Sequence, residues 1–153
     1  MEVINSFMTW IFKSRLGQID YFRHNPVQVQ EETFQSLIEA SRKTEFGKQF
    51  QFDQIKSYQD FSKLIPLFDY EAFKPFIEKT MTGKQNVIWP TEIEWFAKSS
   101  GTTSSRSKYI PVSEESLEEC HYKGGKDMVS LYVSNYPDTK LFTGKSLSIG
   151  GTL

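Results

Sequence analysis

The sequence predicts an α/β protein in which a helical N-terminal region packs on the first strands of a sheet. Three observations predict it. Apolar residues recur at three- and four-residue spacing through the first half of the chain. From Glu92 that spacing gives way to alternation. Helix punctuation, by capping residues, prolines and glycines, falls between the periodic runs. The 153 residues suit one ordinary domain, and a 38% hydrophobic content is enough to build a core.

The first helix is expected over residues 2–24, with Ile4, Phe7, Met8, Ile11 and Phe12 on one stripe. Asn25-Pro26 ends it and opens the next, because proline at the first helical position forfeits no needed hydrogen bond. The second helix carries Phe34, Leu37, Ile38 and Ser41 on one face, with Gly47 just past its end. Residues 48–68 read as irregular apart from a short helix, Ser57 to Leu64, stopped by Pro66. A further helix fits Asp69 to Thr80, with Phe73, Phe76 and Ile77 inward and Gly83 closing it. Residues 84–90 form a loop around Val87-Ile88-Trp89.

Glu92 to Lys98 alternates Ile93, Trp95 and Ala97 with charged residues, as a half-buried strand does, and Lys108 to Val112 reads as a second short strand. The residues between them make a hairpin-like connection. Ser113 then N-caps a helix running to about Ser134, with the carboxylates after it in a capping box. That helix carries Leu117, Cys120, Met128, Leu131 and Tyr132. Gly124-Gly125 weakens its middle, and close packing on another element would explain the pair. The last stretch, Lys145 to Leu153, reads as a strand running into a glycine pair. It resembles the middle of an architecture, so the chain is expected to be the front part of a longer protein.

Composition excludes several function classes. A net charge of −1 makes no case for nucleic acid or an anionic membrane. Cys120 is the single cysteine, so there is no internal disulfide framework and a reducing, cytoplasmic setting is expected. With only His24 and His121 besides, no Cys/His zinc cluster is possible. The N-terminal apolar run ends at Lys13, short of the roughly 20 residues that span a bilayer. Adjacent Cys120 and His121 diverge on a helix and make no catalytic pair. Glu114, Glu115, Glu118 and Glu119 read as a solvated helix start.

The stretch with chemistry in it is the connection Ser99-Ser-Gly-Thr-Thr-Ser-Ser, followed by Arg106 and Lys108. A triphosphate crowds anionic oxygens into a small volume, and binding it takes many closely spaced donors. Small residues bring backbone N–H groups together, hydroxyls add donors, and a lysine adds mobile positive charge. Gly101 admits backbone conformations closed to residues with a Cβ. The bland alternative is a solvated surface hairpin or a phosphorylation target. Thr143-Gly-Lys-Ser146 looks like the end of a Walker A loop, but Thr139 stands where that loop needs its first glycine. No Gly-x-Gly-x-x-Gly occurs.

Ser99-Ser100-Gly101-Thr102-Thr103 resembles the first half of the phosphate loop of the adenylate-forming superfamily, which includes firefly luciferase and acyl-CoA synthetases. The second half departs from it: Ser104 replaces the usual glycine, no proline precedes the lysine, and the lysine comes one residue late. That later spacing, with Pro111 three past Lys108, is similar to the plant auxin-responsive acyl-acid amido synthetases and their bacterial relatives. Trp89-Pro90, Trp95-Phe-Ala-Lys98, Thr44-Glu-Phe-Gly-Lys48 and Gly144-Lys-Ser-Leu-Ser-Ile-Gly-Gly151 resemble that branch in the same order.

The resemblance implies that residues 1–153 are the N-terminal part of an adenylate-forming large domain, apparently truncated, with helices in 1–83, the phosphate-loop hairpin in 92–112 and a helix and strand in 113–153. It implies an ATP-dependent enzyme that adenylates a carboxylic acid and then joins it to an amino acid. Phosphate binding carries over to Ser99, Ser100, Gly101, Thr102, Thr103, Ser104 and Lys108. Arg106 has no counterpart. The Mg2+ ligands and the adenine and ribose motifs are expected outside this chain, in the remainder of its parent, so the 153 residues alone are expected to be inactive. No catalytic residue is named. The rival reading is a non-catalytic helical binding module with a regulatory Ser/Thr-rich loop.

Overall fold

A computed structural model of the chain describes residues 2–99, 107–143, 145 and 147. The helices are α1 (Glu2–Lys13), α2 (Leu16–His24), α3 (Pro26–Ser41), α4 (Glu45–Gln49), α5 (Tyr58–Leu64), α6 (Tyr70–Met81), α7 (Glu114–Ser116) and α8 (Lys123–Asn135). A 3-10 turn covers Phe52–Gln54, and a π-helical segment, Leu117–Tyr122, joins α7 to α8. Two strands, β1 (Trp95–Lys98) and β2 (Tyr109–Val112), pair antiparallel. The result is mixed helix with a small sheet, as the sequence predicts. The expected strand in 145–153 lies outside the described residues apart from Lys145 and Leu147. The chain divides into two compact units, Met1–Asn25 with Glu119–Leu153, and Pro26–Glu118.

In the first unit α1 and α2 both pack on α8. The single helix expected over 2–24 is interrupted at Ser14-Arg15. There the Arg15 N–H bonds Phe12 O at 3.1 Å, a tighter three-residue step, and the Ser14 hydroxyl donates to Ile11 O at 2.6 Å. The Arg15 guanidinium meets the Asp127 carboxylate on α8 at 2.7 Å. Phe12 stacks on Phe142 with ring centroids 5.4 Å apart. Phe7 and Ile11, expected on the buried stripe, are exposed.

On α8, Ser130 and Val133 are buried, whereas Met128 and Leu131 are exposed. The π segment ahead of α8 breaks the 3.6-residue repeat, so Leu117 and the residues of α8 do not share one continuous face. Cys120 sits in that segment and is exposed. The glycine pair behind it has no close neighbour among the described residues: a Cβ at Gly124 or Gly125 would meet none of them within 4 Å.

The second unit holds the aromatic core. Phe46 is ringed by Phe50, Phe76, Phe73, Phe52 and Phe68, with centroids 4.6, 5.1, 5.5, 5.8 and 5.9 Å away. Three of these five pairs, those with Phe52, Phe73 and Phe76, are edge-to-face, an arrangement that ring quadrupoles favour, and the other two are tilted. Ile38, Ile55 and Val87 complete the buried cluster. On α3 the inward face is Ile38 and Ser41; Leu37, expected beside them, is half exposed.

The region after α3 is more ordered than expected. Thr44, fully buried, caps α4: its hydroxyl accepts from Gly47 N at 2.9 Å and donates to Ser41 O at 2.7 Å. The Glu45 and Phe46 amides donate to Asn86 O and Val87 O, each at 2.9 Å, so the 84–90 loop closes the exposed end of α4. Gly47 therefore lies inside a helix rather than past one. Caps at Ser57 and Asp69 start α5 and α6, and Gly83, with φ of +90°, follows the end of α6.

Candidate functional site

The hairpin forms where alternation predicts it. The register pairs Trp95 with Val112, Phe96 with Pro111, Ala97 with Ile110 and Lys98 with Tyr109. Its faces are the reverse of those expected. Trp95 and Ala97 share the exposed face with Ile110, while Phe96, Tyr109 and Pro111 are half-buried on the other. Ile93, buried as expected, precedes the strand. Side-chain bulk does not decide the matter, because the exposed face carries Trp95 and Ile110; α6, from the helical region before the hairpin, packs on β2.

One rung beyond the last strand pair, Ser99 and Lys108 close the connection. Ser99 N–H donates to Lys108 O at 2.9 Å, and Lys108 N–H donates to Ser99 Oγ at 3.0 Å. Two predicted site residues are thus brought together, held by one backbone bond and one bond to the Ser99 hydroxyl. Ser100, Gly101, Thr102, Thr103 and Ser104 lie outside the described residues.

Around this rung stand groups that sequence spacing does not reveal. The Tyr70 hydroxyl, on the first residue of α6, accepts from Tyr109 N–H at 2.9 Å. The Lys108 ammonium lies 5.3 Å from the centre of the Tyr70 ring, and the Lys98 ammonium 6.0 Å from that of Tyr109. Among the described residues, Glu45 pairs with Lys79 and Lys84, and Glu119 with Lys123, but none of the ion pairs includes Lys98 or Lys108. The base of the hairpin therefore presents positive charge that aromatic faces support without cancelling it.

The helix after the hairpin is tied to the loop before it. Ser113 Oγ accepts from Ser116 N–H at 3.1 Å, the predicted cap. The position three residues on is Ser116, whose hydroxyl returns to Ser113 O at 2.9 Å, so no carboxylate completes a capping box. Glu115 instead takes the Trp89 indole N–H at 3.1 Å and the Thr91 hydroxyl at 3.0 Å. Partial burial pushes the Glu115 carboxyl up, but its own backbone amide and the bonds from Thr91, Trp89 and Ser113 outweigh that and leave it below its usual value.

Such an arrangement can receive a phosphate group: cations at the base of a hairpin whose connection is rich in hydroxyls. Among the described residues no group of three His, Cys, Asp or Glu side chains is placed to hold a metal ion. Nor is any helix of the described residues long and apolar enough to cross a membrane.

Comparison with known proteins agrees with the resemblance read in the sequence. Residues 15–152 match the family model described as the GH3 family N-terminal domain. The chain belongs to the GH3 family. It is 31% identical over 118 residues to indole-3-acetic acid-amido synthetase GH3.2 of Arabidopsis thaliana, covering 75% of this chain and 22% of that protein. It is 28% identical over 92 residues to jasmonoyl-L-amino acid synthetase JAR4 of Nicotiana attenuata, covering 60% of this chain and 16% of that one. In fold it matches a solved structure, the GH3.15 acyl acid amido synthetase, with a TM-score of 0.71 and 24% identity over 80% of this chain and 22% of that chain. The chain thus spans only a minor part of the relatives it matches.

Proposed function

We propose that the chain is the N-terminal part of an ATP-dependent acyl-acid amido synthetase, within its adenylate-forming large domain. Family membership supports this, as do the relatives, whose names describe amido synthetases acting on indole-3-acetic acid and joining jasmonoyl groups to amino acids. The observation that carries it is the Ser99–Lys108 rung, which closes the hydroxyl-rich connection and sets a lysine beside it.

In the first step a substrate carboxylate oxygen attacks the α-phosphorus of ATP. The bond to the bridging oxygen breaks, and pyrophosphate leaves with that electron pair. In the second, an amino-acid nitrogen attacks the acyl carbon, the carbon–oxygen bond to AMP breaks, and the nitrogen gives up a proton. The chain's part belongs to the first step. Ser99, Ser100, Gly101, Thr102, Thr103 and Ser104 supply amide and hydroxyl donors to the β- and γ-phosphates, and Lys108 supplies charge. That charge is worth most as negative charge builds on the departing pyrophosphate. At about 4 Å and an effective dielectric near 20 it contributes roughly 4 kcal/mol before desolvation. Magnesium, when bound, would neutralise phosphate charge; no residue of this chain is assigned to it. A reducing, cytoplasmic setting fits the single cysteine.

Carboxylate-dependent ATP–pyrophosphate exchange tests the proposal in the full-length protein that carries this chain. Exchange is expected with at least one acid of an aryl, indolyl and fatty-acyl panel, and Lys108→Ala is expected to reduce it at least tenfold. Absence of exchange with every acid would overturn the proposal.

A further inference from the structure

We infer that Tyr70 is a positioning residue for Lys108: its hydroxyl holds the Tyr109 peptide, and its ring holds the Lys108 ammonium, at the closing rung of the hairpin. The inference rests on the nucleotide reading above.

The strand register supplies the first part. In an antiparallel pair, rungs alternate between hydrogen-bonded and non-hydrogen-bonded. Ser99 N–H bonds Lys108 O, so the neighbouring Lys98–Tyr109 rung is of the second kind. The Tyr109 N–H and C=O accordingly point away from β1, toward the open edge of β2. The Tyr70 hydroxyl stands at that edge, 2.9 Å from Tyr109 N and 3.5 Å from Tyr109 O. A phenol both accepts and donates, so one side chain serves the two groups that a third strand would otherwise pair. This fixes the peptide directly after Lys108.

The ring supplies the second part. The Lys108 ammonium lies 5.3 Å from its centroid. Lysine loses much rotamer freedom when it grips a ligand, and holding it beforehand reduces that loss. A carboxylate would hold it too, but would neutralise it. An aromatic face attracts the cation and leaves its charge available to an anion. Tyr70 is itself held firmly: it opens α6, whose Asp69 cap accepts from Ala72 N–H at 2.8 Å.

A double-mutant cycle on the full-length protein tests this, with ATP affinity read by calorimetry and folding checked by circular dichroism. Tyr70→Phe, which keeps the ring, is expected to weaken ATP roughly threefold, and Tyr70→Leu roughly tenfold. Tyr70→Leu combined with Lys108→Ala is expected to bind no more weakly than Lys108→Ala alone, because Tyr70 acts through that lysine. Should Tyr70→Leu fail to fold, the same cycle with Tyr70→Phe decides. Unchanged affinity in Lys108→Ala would overturn the nucleotide reading and this inference together. A weakened Lys108→Ala, with either wild-type affinity in the Tyr70 variants or multiplying losses in the double variant, would overturn the inference alone.

Discussion

Gly47 shows how one side chain's absence sets a local path. A Cβ there would come within 2.1 Å of the Ser41 carbonyl oxygen and 3.0 Å of Arg42 backbone atoms. Those atoms belong to the end of α3 and the turn after it, which Thr44 fixes through its bonds to Ser41 O and Gly47 N. Backbone held in this way does not yield cheaply. Gly47→Ala is expected to destabilise the protein by about 3 kcal/mol through overpacking. A urea midpoint equal to wild type would contradict that. Glu115 shows the converse. A residue read as one of four solvated carboxylates is bound to Trp89 and Thr91, partners more than twenty residues back in the chain that leave no mark on the local sequence.

Among the elements, the helical run after the hairpin departs most from expectation. A π segment breaks the 3.6-residue repeat ahead of α8, and within α8 Ser130 and Val133 are buried while Met128 and Leu131 are exposed. Gly124 and Gly125 lie just after that segment, with none of the described residues within 4 Å of a Cβ built on either. Their cost to the helix is then entropic and uncompensated by packing among the described residues. Gly124→Ala and Gly125→Ala are each expected to stabilise by about 0.5–1 kcal/mol. Thermal unfolding checks it, and a lowered midpoint would mean that the pair accommodates a close contact. The α3–α4 junction departs for a different reason. The amides of α4 are capped by carbonyls of the 84–90 loop, and no local pattern near Thr44 announces that partner.

At the scale of the whole molecule, acid reports on the second unit. Hydrogen bonds from Lys79 and then Lys84 lower the Glu45 carboxyl, and bonds from Ser57 and the Lys56 amide lower that of Asp60. Both therefore act in the same direction as Glu115. In each case the unfolded chain takes up its proton first as pH falls. Their contribution to stability is complete above ordinary carboxyl values, about 4.3 for Glu and 3.9 for Asp, and is lost as pH falls through the lower folded values. Urea midpoints are expected to be level between pH 7 and 5 and to drop below about pH 4. A midpoint that holds or rises on acidification would contradict these assignments.

What the sequence by itself determined was local or carried by motif. The helix starts at Ser57 and Asp69, the cap at Ser113, the stop after α6 at Gly83, and the strand–connection–strand order around Ser99 to Lys108 all depend on residues a few positions apart. Hydrogen bonds of three-residue span leave a readable pattern, and a string of separated motifs identifies a family. Only the tertiary structure decided which hairpin face turns inward, that Gly47 lies within a helix, and that Tyr70 meets Lys108 and Tyr109. Each of those outcomes depends on groups brought together from distant parts of the chain, Tyr70 and Tyr109 being 39 residues apart. Such contacts follow from how elements pack, and spacing along the chain does not encode them.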